Sequence, residues 1–440
     1  MRRIALAIPL AILLSLACGV TTPTALAPEP SRGPTPAGLP KPIPQPITRT
    51  SPAAQNAWLR LTERDSGLHS TLVGIDPTGA IVAQLDPEAL DLRGVVRSAD
   101  GGSLYAFASD RIDVYSALNG KVTRSYAGPA TGPIDSAFSP DGRWAALLVR
   151  GPQIQIIDLG SGSSQLLPIE HDPKANLPGL GGDLSNALWG TLAFAPDSAH
   201  VYTLTDWGGP ARVTALSLSG GSWARTATAV STAKLAFPEC AGPALALKVV
   251  QDGRVLAGFC HYDGAVWLFD LATLSPAAVL HPTQKNPFWL SPLFTPDGRL
   301  LYLHQSPAFG DEMQVVDLAG RRVIGPVPTP TKAGALGPFA WHGSVAYAGG
   351  VAATVPISPD GLRLYSATGA GIVVLRVPDL AVITTLAPGI GAADVWISGD
   401  GRTVYALDGS RLVIASDDGQ SVKKVDLPKP NGFFIASEHG

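Results

Sequence analysis

A four-residue corner, Ser-Pro-Asp-Gly or a close variant of it, recurs along most of the chain, and each time it separates short apolar runs. The clearest unit starts at residues 134–143 and continues with apolar runs at 144–149, 154–159 and 165–169. These runs are rich in β-branched and aromatic residues, as strands are. In the corner, proline presets φ, aspartate bonds its own backbone and glycine accepts a positive φ. Each unit therefore predicts four antiparallel strands joined by tight turns.

Seven corners mark seven such units, and their aspartates are Asp100, Asp141, Asp197, Asp252, Asp297, Asp360 and Asp400. Their spacing fits a base unit of about forty residues, which is typical of propeller blades, and the wider gaps indicate loop insertions. A single four-stranded sheet cannot bury both of its faces. We therefore expect the units to stack radially around a common axis.

Incomplete units remain at both ends of the repeat region. Residues 58–62, 71–75 and 81–85 look like the second to fourth strands of a unit, and residues 432–436 look like a first strand. Pairing these pieces would close a ring and remove its free edges. The sequence thus predicts an all-β fold, a β-propeller over residues 57–440 with eight four-stranded blades, closed by its N- and C-terminal strands. Seven blades is the alternative, if the terminal pieces only extend a neighbouring sheet.

The corner reads Ser-Pro-Asp-Gly, then two variable residues, then an apolar residue and Tyr. In several units it is followed by two apolar residues and Asp-Leu. These residues resemble the bacterial propeller repeats of the YVTN and WD40-like group. No unit carries the full Tyr-Val-Thr-Asn string, and no Trp-Asp pair ends a third strand. The resemblance implies a binding, scaffolding or envelope function rather than one reaction.

The N-terminus has the features of an export signal. Arg2 and Arg3 precede an apolar stretch at residues 4–16, which is too short to span a bilayer. Ala17-Cys18 resembles the end of a bacterial lipobox, so residues 1–17 are predicted to be a lipoprotein signal peptide and Cys18 to carry the lipid. The alternative is an ordinary secretory signal with an incidental cysteine. We expect an extracytoplasmic protein anchored to a membrane, and the sequence leaves open which membrane.

Residues 18–56 form a proline-rich linker behind the predicted lipid anchor. Such a segment favours extended polyproline II, which rises about 3 Å per residue. We interpret it as a spacer between lipid and propeller, with a proline-recognition ligand as the alternative. Cys240 and Cys260 remain as an even pair in an oxidising compartment and flank a predicted hairpin turn. They are therefore disulfide candidates, and two buried free thiols are the alternative.

Long insertions are predicted on one rim of the propeller, where the loops between blades and those between second and third strands lie together. Insertions of repeat proteins gather on the binding face, and exposed aromatic residues are enriched at interfaces. The predicted binding rim consists of Trp189, Trp207, His261, Tyr262, Trp289, His304, Phe309, Trp341 and His342.

Several histidines fall in the same predicted loops, and imidazole suits transition metals. The alternative, a transition-metal site, involves His171, His261, His281, His304 and His342. The chain has no His-x-His and no His-Glu-x-x-His motif, so the spacing is non-specific and no cofactor is predicted. The aspartates that follow the third strands, such as Asp158 and Asp317, are interpreted as turn caps.

A formal net charge of −3 argues against non-specific nucleic-acid binding, which needs a cationic surface. No nucleophile elbow, phosphate loop, dinucleotide fingerprint or haem-attachment motif is present. We therefore expect a monomeric, non-enzymatic interaction module whose rim binds an envelope protein, a glycan or a small ligand. The alternative is an enzyme on the same fold, by analogy with lactonase-type and quinoprotein propellers.

Overall fold

A computed structural model of the chain describes residues 50–62, 70–86, 94–98, 100–108, 110–128, 133–149, 153–169, 190–205, 212–230, 244–250, 253–260, 265–281, 289–305, 312–328, 356–368, 371–392, 394–428 and 431–434. The predicted signal peptide, Cys18 and the linker up to residue 49 lie outside these ranges. Among the residues that are described, no helix has the length and apolar character needed to cross a membrane. The helical turn α1, Pro52–Gln55, precedes the first strand.

Strands make up nearly all of the rest, grouped into eight antiparallel sheets. The first three blades comprise β4 (Gly94–Arg97), β5 (Ser103–Phe107), β6 (Arg111–Ser116), β7 (Val122–Ala127); β8 (Pro133–Phe138), β9 (Trp144–Val149), β10 (Gln153–Asp158), β11 (Ser164–Pro168); and β12 (Gly190–Phe194), β13 (His200–Thr205), β14 (Arg212–Ser219), β15 (Ser222–Val230).

The fourth and fifth blades comprise β16 (Ala244–Val250), β17 (Val255–Cys260), β18 (Val266–Asp270), β19 (Ser275–Leu280); and β20 (Trp289–Phe294), β21 (Leu300–Gln305), β22 (Glu312–Asp317), β23 (Arg322–Pro328). The sixth and seventh comprise β24 (Arg363–Thr368), β25 (Gly371–Arg376), β26 (Val382–Leu386); and β27 (Asp394–Ile397), β28 (Thr403–Asp408), β29 (Arg411–Ser416), β30 (Val422–Asp426). The closing blade comprises β31 (Asn431–Phe434), β1 (Ala57–Thr62), β2 (Ser70–Ile75) and β3 (Ile81–Leu85).

The sheets form an eight-bladed β-propeller, as the sequence predicts. First strands of neighbouring blades contact each other (β8 with β12, β12 with β16, β27 with β31), which places the first strands innermost. Seven sheets have four strands. In the sixth blade, the described residues give three strands, and an isolated bridge between Ile357 and Leu364 stands where the innermost strand would be.

The closing blade joins the two ends of the repeat region. Strand β31 pairs antiparallel with β1, with Leu59 opposite Phe434 and Leu61 opposite Gly432. The predicted closure by N- and C-terminal strands is thereby confirmed. Eight blades, and not the alternative seven, follow because the terminal pieces build one sheet of their own instead of extending a neighbour.

The corner turns are held by the hydrogen bonds that their sequence predicts. In the second blade, Ser139 Oγ donates to Asp141 Oδ1 at 2.5 Å, and the same carboxylate oxygen accepts from Arg143 N at 3.0 Å. Gly142 has φ +69°, which requires glycine there. The same serine- or threonine-to-aspartate bond recurs at Asp100, Asp297, Asp360 and Asp400. These aspartates are therefore structural caps of the tight turns.

The seams between blades form the core. The seam between the second and third blades buries Trp144, Leu148, Ile154, Phe194, Val201, Leu216 and Trp223. Trp223 meets Trp144 and Phe194 edge-on, with ring centroids 5.6 and 6.0 Å apart. Burial of this apolar area makes the main favourable contribution to the free energy of folding, roughly 25 cal/mol per Å². The turn between the third and fourth strands of the first blade also reaches across a seam. Its Gly120, at φ +66°, lies so close to Ala83 of the closing blade that a Cβ at this position would clash.

The turn α1 is wedged between the corners of the seventh and first blades. Ala54 O accepts from Gly399 N at 3.0 Å, and Gln55 O accepts from the hydroxyl of Tyr405 at 2.8 Å. The side chain of Arg97, only 1% exposed, donates to Ala53 O at 2.7 Å and lies 4.8 Å from the Trp396 ring centroid. The chain therefore enters the propeller at the rim that carries the corner turns.

Candidate functional site

The two rims of the propeller differ in the length of their connections. First strands start and second strands end at one rim, which we call the loop rim; the opposite rim carries the corners and is called the corner rim. Loop-rim connections are tight in the seventh blade, where residues 409–410 join β28 to β29. They are long from the second to the sixth blade, at residues 169–189, 231–243 and 329–355. The long connections thus occupy one arc of one rim.

The predicted rim residues belong to this arc by their place in the chain. Most of them lie outside the described residues: Trp189, Trp207, His261, Tyr262, Phe309, Trp341, His342, and also His171 and Cys240. Trp289 and His304, which the sequence analysis assigned to loops, are part of strands: Trp289 begins β20, and His304 is the penultimate residue of β21, opposite Met313. The apolar run that precedes His304 continues the strand up to the rim.

Two further predicted residues are placed by the structure. His281 follows β19 directly and is exposed. Cys260 ends β17 at the loop rim and lies opposite Ala244 of the neighbouring strand β16. The disulfide between Cys240 and Cys260 stays a prediction. Among the residues that the structure covers, no group of three or more His, Cys, Asp or Glu side chains is arranged to hold a metal ion.

Asp135 is a candidate functional residue that the sequence analysis missed. It lies on the innermost strand β8, and its carboxylate accepts from the backbone N–H of Leu192, on the innermost strand of the next blade, at 2.8 Å. Burial raises the pKa of Asp135, while hydrogen bonds from Leu192, the Thr191 side chain and Ser136 oppose that rise. A perturbed carboxyl in a propeller's inner wall is a candidate for binding or proton transfer.

Four threonines lie on the face of the third blade that packs against the second. Thr203 of β13 is directly opposite Thr214 of β14, which is opposite Thr228 of β15. Thr205 ends β13 at the loop rim. Val201 and Leu216 share this face and pack in the seam, so the threonines face the second blade. We call Thr203, Thr205, Thr214 and Thr228 the threonine seam.

The hydroxyls of the threonine seam are buried without hydrogen bonds. Thr203 and Thr214 are 0% exposed, and Thr205 is 2% exposed. The Oγ1 atoms of all four have no hydrogen-bond partner. An unpaired buried hydroxyl costs about 1–3 kcal/mol, so this row is a polar exception in an otherwise apolar seam. The signal in the sequence was threonine at strand positions where other blades carry leucine or alanine, for example Leu147 and Ala406.

A related polar position occurs at the third residue of the third strand of several blades. It holds Asp113, Gln155, Thr214 and Gln314 in the first, second, third and fifth blades, and apolar residues in the others. Asp113 is satisfied by Arg111 Nε at 2.9 Å and Ser125 Oγ at 2.6 Å. Gln314 is 0% exposed, and neither of its amide atoms has a hydrogen-bond partner. The polar blades thus overlap the arc of long connections.

The aspartates after the third strands are turn caps, as predicted. Asp158 Oδ1 accepts from Gly160 N at 2.8 Å and Ser161 N at 3.1 Å, and Asp317 accepts from Gly320 N at 2.7 Å. At the corner rim, His200 Nδ1 lies 2.7 Å from Asp197 Oδ2. Both side chains are exposed to a large degree, so this pair also fits a turn contact.

Comparisons with known proteins bear on the fold alone. No protein-family model matches the chain, and no curated protein matches it. Among solved structures, the chain is similar to the dihydro-haem d1 dehydrogenase NirN in complex with DHE, with a TM-score of 0.56 and 17% identity over 92% of this chain and 79% of that one. It is also similar to the hydrazine synthase of Kuenenia stuttgartiensis, with a TM-score of 0.46 and 14% identity over 77% of this chain and 96% of that one. The match to NirN, whose TM-score is above 0.5, shows a shared fold between two chains of very different sequence.

Proposed function

We propose that the protein is a lipid-anchored, extracytoplasmic binding module whose loop rim recognises a ligand or partner. The observation that carries the proposal is the clustering of long connections on one arc of one rim, from the second to the sixth blade. Rigid scaffolds with variable loops on one face place their binding residues there. The predicted signal peptide and Cys18 supply the location and the anchor.

The contrast between the rims supports this assignment. The corner rim is closed by short turns whose polar groups bond within the turn itself, as at Asp141 and Asp158. Among the described residues, these turn groups are therefore already engaged within the protein. The aromatic residues and histidines that the sequence singles out are predicted to lie at the loop rim. The innermost strand β8 carries Asp135 near the end that starts at this rim.

A pull-down from cell-envelope extract tests the proposal. The propeller with the triple change Trp207→Ala, Trp289→Ala and Trp341→Ala is expected to lose a partner that the unchanged protein retains. The matched control is Ile383→Ala with Val422→Ala, two exposed apolar residues of outer strands away from the rim. Equal capture by all three proteins would contradict binding through the loop rim. Release of the full chain from the membrane fraction by Cys18→Ala tests the anchor separately.

A second candidate function is favoured by Asp135. A carboxyl whose pKa is raised by burial on an innermost strand suits proton transfer in an enzyme at the channel mouth. This candidate predicts turnover of a substrate from a lactone and ester panel, and loss of that turnover in Asp135→Asn. Turnover that survives the substitution would remove Asp135 from the chemistry.

A further inference from the structure

We propose that Asn119-Gly120 is a deamidation site, and that its isoaspartyl product loosens the seam between the first blade and the closing blade. The chain contains two Asn-Gly pairs, Asn119-Gly120 and Asn431-Gly432. Such pairs deamidate most readily, because glycine has no side chain to shield its amide nitrogen from the preceding carboxamide. Both pairs contact the closing blade, one from a turn of the neighbouring blade and one within strand β31.

The turn between β6 and β7 holds the Asn119 side chain beside the nitrogen that would attack it. Asn119 is exposed, and its Oδ1 accepts from Lys121 N at 3.1 Å. A side-chain bond to the N–H two residues further on forms an Asx turn, which folds the carboxamide back over the intervening peptide. That peptide nitrogen belongs to Gly120 and donates to Ser116 O at 2.8 Å. Reaction therefore requires only that this one bond in a surface turn opens.

The second pair is held in a strand ladder. Asn431 begins β31, and Gly432 lies opposite Leu61 in the antiparallel pairing of β31 with β1. Formation of the cyclic imide bends the main chain out of the extended conformation, so reaction here requires β31 to separate from β1. Surface turns open at a lower free energy than paired strands. We therefore assign the reactivity of the folded protein to Asn119.

The reaction consumes only water. The Gly120 nitrogen loses its proton to hydroxide and attacks Asn119 Cγ. The N–Cγ bond forms, the Cγ–Nδ2 bond breaks, and Nδ2 leaves as ammonia with a proton from water. Water then opens the imide at one of its two carbonyls. The products are aspartate, on the original main chain, or isoaspartate, whose main chain runs through Cβ and Cγ, and no group is oxidised or reduced.

The two products differ in their effect on the seam. Gly120 packs so tightly that an added Cβ would lie 2.4 Å from the Cβ of Ala83 on β3. In the same turn, Ala117 O accepts from Trp58 Nε1 of β1 at 2.9 Å. Aspartate keeps the main chain and the acceptor for Lys121 N, so these contacts remain. Isoaspartate lengthens the main chain by one methylene group, and close packing accommodates that only if the turn moves off the closing blade.

The first test is incubation of the purified full chain in mildly alkaline buffer, followed by peptide mapping with mass spectrometry and labelling by an isoaspartyl methyltransferase. The matched control is the same chain unfolded in guanidinium chloride. In the folded protein we expect Asn119 to convert at least about tenfold faster than Asn431. In the unfolded chain the two rates should be similar. Equal rates in the folded protein, or conversion of Asn119 in the unfolded chain alone, would overturn the assignment.

The second test measures the seam by thermal unfolding of the separated products. We expect the isoaspartyl chain to unfold about 2 °C or more below the unchanged protein, and fresh Asn119→Asp within about 1 °C of it. Asn119→Ser, incubated in the same way, should keep its midpoint because the reactive carboxamide is gone. An isoaspartyl chain as stable as the unchanged protein would overturn the loosening of the seam. An equal loss in Asn119→Asp would assign the effect to charge and overturn it as well.

Discussion

The carboxyl of Asp135 places a desolvated charge between two innermost strands, and its pKa is raised for that reason. A carboxyl with a raised pKa destabilises the folded protein as pH rises from the ordinary value of 3.8 through the folded-state value. Asp135→Asn keeps an oxygen that accepts from Leu192 N and cannot ionise. We therefore expect the variant to gain stability relative to the unchanged protein as pH rises from 4 to 7.5. The gain should be about 1.4 kcal/mol for every tenfold by which folding tightens proton binding to the carboxyl. Urea unfolding at both pH values measures this.

Asp379 provides a control of opposite sign. Its pKa is lowered, first by the hydrogen bond from Arg376, which donates from Nε to Oδ1 at 2.9 Å. A lowered pKa stabilises the folded state above the ordinary value, and that contribution is lost as pH falls. Asp379→Asn should therefore be less stable than the unchanged protein at neutral pH, and the deficit should shrink in acid. The same pH trend in both variants would contradict the assignment of Asp135.

At the scale of elements, the turn α1 and Arg97 form a latch beside the closing blade. Arg97 donates from Nη2 to Ala53 O and Gly101 O, at 2.7 and 3.1 Å, and stacks on Trp396 of the seventh blade. Arg97→Met keeps most of the apolar stem but leaves these buried carbonyls without their donor. We expect a loss of about 2–4 kcal/mol in the free energy of unfolding.

The matched control for the latch is Arg402→Met. Arg402 is exposed and lies next to the corner of the seventh blade. A surface change of this kind shifts stability by about 0.5 kcal/mol or less. Denaturant unfolding of both variants separates the latch from a general effect of removing a positive charge. Equal losses in the free energy of unfolding would show that the contacts of Arg97 stabilise the fold no more than those of a surface arginine.

At the scale of the whole molecule, local chemistry explains which features were predictable. The corners, the strands and the number of blades follow from short patterns such as residues 139–142, because turn and strand preferences act over a few residues. The threonine seam and the latch depend on which faces of distant blades meet. Arg97 lies 44 residues from its acceptor Ala53, and Asp135 lies 57 residues from Leu192. No local sequence pattern shows that the side chain of Arg97 or Asp135 is buried rather than exposed to solvent.

Closure of the ring is the feature on which the remaining architecture depends. Without β31, strand β1 would have a free inner edge, and β27 of the seventh blade would lose the first strand that it contacts in the closing blade. Such an edge destabilises the sheet and invites pairing with other chains. Deletion of residues 431–440 is therefore expected to lower the midpoint of unfolding, to broaden the transition and to produce oligomers on size exclusion. Deletion of residues 435–440 leaves β31 (Asn431–Phe434) in place and serves as the control. If both truncations behave alike, the pairing of Leu59 with Phe434 and of Leu61 with Gly432 does not hold the ring closed.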